Sequence, residues 1–364
     1  MRVGIVGGGQ LGRMLAFAAR PLGLEVTVLD ASEDAPAAAF APMIVGDFGD
    51  RGALGRLADA SDVVTFDFEN VPADAADWLE ERVCVRPGPR ALRVAQDRIA
   101  EKSLFTALDI PVAPYAAVDD TRSLTDALAV TGLPAVLKTR RLGYDGKGQC
   151  VVRSAEDAER ARITLGGTDL ILEGFVQFDR EVSLVAARAI DGTVAAYPMV
   201  ENLHRDGILH TTHAPAKPGR FDADASSFVA HLLDELDYVG VIALELFECA
   251  DGLRANEFAP RVHNSGHWTI EGAVTSQFEN HLRAITGMPL GETTALGPSA
   301  MVNFIGGMPD AAAIAAIPGA HLHDYGKTAR PGRKLGHATV TAMTRDELAT
   351  RVHALSKIAD AASR

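Results

Sequence analysis

Short apolar runs alternate with helical patterns along the first quarter of the chain. Residues 3–6, 25–29, 43–45 and 62–66 read as strands, and residues 10–21 as a helix between the first two. Apolar strands separated by helical stretches predict a doubly wound parallel sheet ending near Arg86. Pro87-Gly88-Pro89 interrupts this pattern, and residues 91–108 then carry one helical period before Pro111 and Pro114 punctuate the chain again.

A second alternation follows: a strand at 135–138, a glycine-rich turn at 143–148, a return strand at 149–153, a helix at 155–163 and a strand at 170–173. From 181 to 258 the pattern becomes strand-rich, with turn signals at Asp191-Gly192, Asp206-Gly207 and Asp251-Gly252 and one helix at 223–236. That stretch predicts a large antiparallel lobe. Past Pro289 lie short strands around 301–304 and a helix from Arg345 onward. The expected architecture combines α/β and α+β in three units, 1–97, 98–174 and 175–364, without internal repeats.

Composition changes this picture little. The 364 residues are 47% hydrophobic and 23% charged, and exceed what one core usually organises. A net charge of -13 argues against nucleic acid or an anionic membrane as partner, so an anionic substrate needs a local cluster of cations. Cys84, Cys150 and Cys249 lie far apart, which suggests neither disulfides nor a zinc site. The chain enters its first apolar run directly after Met1-Arg2 and has no stretch suited to spanning a bilayer, so a cytoplasmic location is expected.

Gly7-Gly8-Gly9-Gln10-Leu11-Gly12 matches GxGxxG between a strand and a helix, with Asp30 near the end of the next strand. This is a dinucleotide-binding fingerprint, although a tight turn at a helix N-terminus suits any phosphate or polar ligand, or simply packs helix on strand.

Glu245 interrupts the apolar run Val241-Ile242-Ala243-Leu244-Glu245-Leu246-Phe247. If Ala250-Asp251-Gly252 forms a three-residue hairpin loop, Glu257 stands directly opposite on the same face. Two carboxylates so placed repel by about 1 to 4 kcal/mol at separations near 4 Å, depending on the dielectric. A divalent cation offsets that cost, and Mg²⁺ held by two carboxylates and nucleotide phosphates is a frequent solution. A solvated edge hairpin shifted by one residue is the alternative.

The segment Gly143-Tyr144-Asp145-Gly146-Lys147-Gly148-Gln149 lies between two strands, so it is a hairpin flap and not a strand-to-helix P-loop. Its glycines can lay amides over phosphates while Lys138 supplies charge. Glu173-Gly174-Phe175-Val176 and Glu181 follow at a distance suited to an adenine slot and a ribose-binding carboxylate. Taken together, Lys138, the flap, this hinge, Glu181, Glu245 and Asn256-Glu257 resemble the ATP-grasp superfamily, in which two lobes clamp ATP.

Within that superfamily, Gly9-Gln10-Leu11-Gly12-Arg13-Met14, Phe66-Asp67-Phe68-Glu69-Asn70-Val71, Asn202-Leu203-His204-Arg205-Asp206-Gly207-Ile208, the stretch from Ala259 to Trp268 and the stretch from Arg330 to His337 are similar to the N5-carboxyaminoimidazole ribonucleotide synthetase family. The resemblance runs nearly end to end. It implies a homodimeric enzyme of purine biosynthesis that phosphorylates bicarbonate with Mg²⁺-ATP and passes the carboxyl group to 5-aminoimidazole ribonucleotide. By that match Arg98, Lys138, Glu173, Val176, Glu181 and His204 contact ATP, Glu245 and Glu257 the metal, and Asn256 the phosphate region. Asp145, Arg261, His263, Lys327 and Arg333 address the ribonucleotide, with Gln10 and Glu69 at its entrance. Asp145, Arg261 and His263 are the candidate catalytic groups.

The cations Lys327, Arg330, Arg333 and Lys334 form a compact cluster in an acidic chain, as a 5′-phosphate requires, although such a run can also be a solvated basic turn. Three other functions stay open on sequence grounds: a sister ATP-grasp enzyme acting on formate or biotin, a nicotinamide oxidoreductase, and a non-catalytic nucleotide-binding protein.

Overall fold

The computed structural model describes every residue except Tyr144, Asp145 and Arg364, and it contains three sheets. The first is five-stranded and parallel, built from Arg2–Val6, Glu25–Asp30, Met43–Val45, Val63–Phe66 and Cys84–Val85, with Arg2–Val6 in the middle. Its central strands are buried on both faces, as continuous apolar runs require. Helix Gln10–Ala19 packs on one face of this sheet, and Arg51–Asp59 and Ala73–Glu80 on the other, which is the doubly wound arrangement.

Residues 91–108 do not form one helix. Pro89–Ala95 and Arg98–Ala107 are separate because the Asp97 carboxylate caps the second, accepting from the amides of Ile99 (3.0 Å) and Ala100 (3.4 Å). The Gln96 side chain meanwhile turns away to the carbonyls of Glu69 and Val71. Apolar periodicity continues across the break, which is why it reads as one helix.

The second sheet is antiparallel and four-stranded, ordered Tyr115–Val118, Leu170–Gly174, Ala135–Thr139, Gln149–Val152. The third has nine antiparallel strands between Arg180 and Thr341, with Gly252–Ala259 at one edge. Helix Asp222–Glu235 covers one of its faces and Gln277–Thr286 the other. Asp206 and Gly207 both take positive φ (52° and 76°), so the dipeptide closes a tight hairpin between Val200–Arg205 and Ile208–Ala214.

The hairpin of Gly240–Cys249 and Gly252–Ala259 differs in detail from the expected one. Its loop has two residues, Ala250 and Asp251, since Cys249 already pairs with Gly252. A two-residue loop alone would set Glu245 across from Asn256. A β-bulge at Asn256 absorbs one residue and restores the pairing of Glu245 with Glu257.

Candidate active site

One cleft of about 900 Å³ collects side chains from the parallel sheet, the flap and the nine-stranded sheet. Glu245 and Glu257 lie side by side on adjacent strands and both line it. Their environments differ. Arg98 donates to Glu257 at 2.8 Å; although burial opposes ionisation, that guanidinium, helped by Lys138, holds the Glu257 carboxyl below its ordinary range. Burial, reinforced by the charge of Glu257, pushes Glu245 up to about 7.

The partner of Glu245 is His263, whose Nε2 lies 3.2 Å from Oε1. Burial, and next the charge of Arg261, holds this imidazole well below its usual pKa, so it is neutral. A hydrogen-bond chain orders the tautomer: Asn202 Nδ2 donates to Ser183 Oγ, which donates to Ser265 Oγ at 2.8 Å, and Ser265 Oγ and its backbone amide both face His263 Nδ1. With Nδ1 accepting, the proton sits on Nε2, the ring nitrogen nearer Glu245.

Behind the pair is a buried charge network. Glu173, on Leu170–Gly174, meets Lys138 at 3.1 Å and Lys102 at 3.4 Å. Burial opposes its ionisation, but the two ammonium groups bring its pKa down to about 2. Sequence reasoning missed Lys102, which also donates to the carbonyls of Ala255 and Asn256, and Glu101, whose carboxylate accepts from the Phe258 amide at 2.7 Å. The signal was present: Arg98, Glu101 and Lys102 sit at i, i+3 and i+4 on helix Arg98–Ala107 and share a face.

Asp97, which caps that helix, also binds Arg140 (2.7 Å) and Arg141 (2.9 Å) at the base of the flap. Gly143 and Lys147 line the cleft, while a side chain at Gly146 would strike the Asp206–Gly207 turn at 2.9 Å, so the flap reaches across to the large sheet. Gly148 (φ 71°) lies against Thr139, and Gln149 pairs with Lys138 in the sheet. Tyr144 and Asp145 lie outside the described residues. His204 lines the cleft with its Nδ1 against the Glu181 carboxylate. Gly174, Phe175 and Val176 instead line a second cavity of about 580 Å³ together with Pro114, Leu133 and Pro134.

In the same cleft, Arg261 binds Glu69 at 2.5 Å and Lys327 bonds the Gln10 side chain. Arg330, Arg333 and Lys334 stand beside them, Arg333 donating to the Thr328 carbonyl at 3.1 Å. Burial, then the charge of Arg333, lowers Lys327 to about 8.

The glycine-rich turn is occupied by the protein itself. Asp30 Oδ2 accepts from the Gly8 amide at 2.7 Å, and the Asp67 carboxylate lies over the amides of Gly9 and Gly12. A Cβ at Gly9 or Gly12 would stand 2.9 Å from Asp67 Oδ2. The glycines therefore permit a close internal approach, and the two parts of the dinucleotide fingerprint bind each other.

A nucleotide-sized cleft between a four-stranded lid and a large antiparallel sheet, with a carboxylate pair facing an arginine and a buried lysine, defines an ATP-grasp protein. The ATP-grasp domain profile matches residues 103–278, a ribonucleotide synthetase preATP-grasp domain matches 1–96, and a phosphoribosylaminoimidazole carboxylase C-terminal domain matches 299–351. The chain belongs to the N5-carboxyaminoimidazole ribonucleotide synthase family. It is 51% identical to the synthase of Pseudomonas aeruginosa over 99% of this chain and 100% of that one. The Thermus thermophilus N5-carboxyaminoimidazole ribonucleotide synthetase superposes with a TM-score of 0.94 at 51% identity, covering 98% of each chain. The Aspergillus clavatus enzyme in complex with ADP and 5-aminoimidazole ribonucleotide gives 0.92 at 33% identity, covering 99% of this chain and 98% of that one. Among the described residues, no helix is long and apolar enough to cross a membrane.

Proposed function

We infer that this chain consumes ATP and bicarbonate to carboxylate the exocyclic amine of 5-aminoimidazole ribonucleotide, with residues 1–97, 98–174 and 175–364 as its working units. The observation that carries the reading is one cleft lined both by the Glu245/Glu257 pair and by the cluster of Lys327, Arg330 and Arg333. Two anionic substrates can thus be held with their reactive ends together.

Mg²⁺ fits the carboxylate pair. Both groups offer oxygen, they lie on neighbouring strands, and the imidazole beside Glu245 is neutral. Among the described residues no cluster of three acidic, histidine or cysteine ligands exists, so the remaining ligands would be phosphate and water oxygens, as Mg²⁺ prefers. The ion would neutralise charge on the transferring phosphoryl group. Arg98 and Lys138 would bind the phosphates from the other side, the flap glycines would cover them, and Glu181 with His204 would address the sugar.

Bicarbonate oxygen attacks the γ-phosphorus, ADP departs, and carboxyphosphate results. The amine of the ribonucleotide then forms a bond to the carboxyl carbon as the bond to the phosphate oxygen breaks, releasing phosphate and the amine proton. Arg261, which pairs with Glu69, would stabilise the anionic intermediate. Asp145 is the proposed acceptor of the proton, with the departing phosphate as the other candidate.

The test is ADP release measured with each substrate omitted: release should require both bicarbonate and the ribonucleotide for full rate, and release indifferent to the ribonucleotide would assign another acceptor. Arg333→Glu should raise the ribonucleotide KM roughly a hundredfold, about 3 kcal/mol, by replacing a charge-assisted bond with repulsion, while the ATP KM changes less than threefold. Equal changes in both would contradict this placement.

Lys327 adds a pH dependence. Its folded pKa of about 8 lies below the usual lysine value, so the cation is present below pH 8 and is lost above it. The ribonucleotide KM should therefore rise as pH passes through 8. Lys327→Arg should move that rise beyond the accessible range, and an unchanged profile would remove Lys327 from the phosphate site.

A further inference from the structure

We propose that Asp67 is a specificity-determining residue that fills the anion position at the N-terminus of helix Gln10–Ala19, barring free anions from that end of the cleft and leaving the ribonucleotide phosphate to Lys327 and Arg333. The helix needs an anion and has none of its own. Its N-cap is Gly9, which supplies no side-chain cap, and its first turn contains no acidic residue, so its leading amides and partial positive charge point toward the cleft. In a turn of this shape that combination binds phosphate.

The structure puts a carboxylate there instead. Asp67 follows strand Val63–Phe66 and is only 7% exposed. Gly9 and Gly12 lie close enough to Oδ2 that neither tolerates a Cβ, yet Oδ2 has no hydrogen-bond partner of good geometry. A buried oxygen left in this state calls for an explanation. Electrostatics supply one: the carboxylate answers the helix terminus as well as the charges of Arg261 and Lys327. Burial raises its pKa to about 6, so it remains an anion at neutral pH.

The consequence is selectivity inside one basic cleft. Without Asp67 the cleft would offer two anion sites at that end, the helix terminus and the cation cluster, and any small dianion could settle in the first and repel the substrate phosphate from the second. The charge of Asp67 closes the first site by occupancy and repulsion. Because Asp67 begins the segment that carries Glu69, it also holds that segment against the glycine turn that carries Gln10.

This inference rests on the ribonucleotide reading for its consequence but not for its test. Sulfate is the probe, since it cannot be mistaken for a product. In Asp67→Ala, which leaves the carboxylate volume open, sulfate should raise the melting temperature several degrees more than it does in the parent chain at equal concentration. It should also inhibit competitively with the ribonucleotide at least tenfold more tightly. Asp67→Ser, which retains a hydroxyl toward the amides, keeps the test available if the alanine variant does not fold, with the same expectation. Equal sulfate stabilisation and inhibition in parent and variants would overturn the proposal. A parent whose ADP release ignored the ribonucleotide would instead count against the acceptor, while the thermal comparison would still judge Asp67.

Discussion

Glu245→Gln is expected to lower ADP release at least a thousandfold while leaving the fold intact. The loss, about 4 kcal/mol of barrier, is the scale set by removing one of two carboxylates that hold a divalent cation at a transferring phosphoryl group. The stability arm has the opposite sign. The folded pKa of Glu245, about 7, lies above the unfolded value near 4.5, so its ionisation costs stability progressively as pH rises from about 4.5 through 7. The amide removes that cost, and the metal-free variant should melt at the same temperature as the parent or higher at pH 8. Turnover within tenfold of the parent would refute the assignment. A variant that melted well below the parent would mean that Glu245 serves the fold and not a metal.

Glu173→Gln carries the largest expected loss of stability. It leaves Lys102 and Lys138 buried with no carboxylate between them, and breaking a buried pair by deleting one member costs about 3 to 5 kcal/mol. The folded pKa of Glu173, about 2, lies below the unfolded value, so its contribution is fully present above about pH 4.5 and fades as pH falls toward 2. Urea unfolding at pH 7.5 should show the whole difference between variant and parent, and the gap should narrow below pH 4.5. A difference under 1 kcal/mol at pH 7.5 would show that water or the carbonyls of Ala255 and Asn256 already satisfy both lysines.

Much of the framework was legible because the physics that builds it is local. The parallel strands are apolar runs, the helix predicted at 10–21 has a clear period, and the Asp206-Gly207 turn names its own geometry. Polar elements with long-range partners were not legible. Helix Gln277–Thr286 buries Gln277, Asn280 and His281, which bond His263, Tyr197 and Thr65 from distant segments, so its buried face does not read as apolar. Strand Lys334–Thr341 begins inside a cationic motif whose sequence points to a phosphate-binding cluster or a basic turn and not to a strand.

The sequence predicts the Glu245/Glu257 pairing through a loop of the wrong length. The observed two-residue loop and the bulge at Asn256 compensate each other, and a bulge leaves no mark in hydrophobic alternation. The glycine-rich turn shows the converse. Its pattern was plain, but what fills it is Asp67, more than fifty residues away, and only the fold brings the two together.

The metal assignment is tested by diffraction from crystals grown with ADP and Mn²⁺ in place of Mg²⁺. An anomalous peak is expected against carboxylate oxygens of both Glu245 and Glu257 and a phosphate oxygen of the nucleotide, with Arg98 and Lys138 on the far side of the phosphates. A peak that engages neither glutamate, or nucleotide bound outside this cleft, would contradict the assignment.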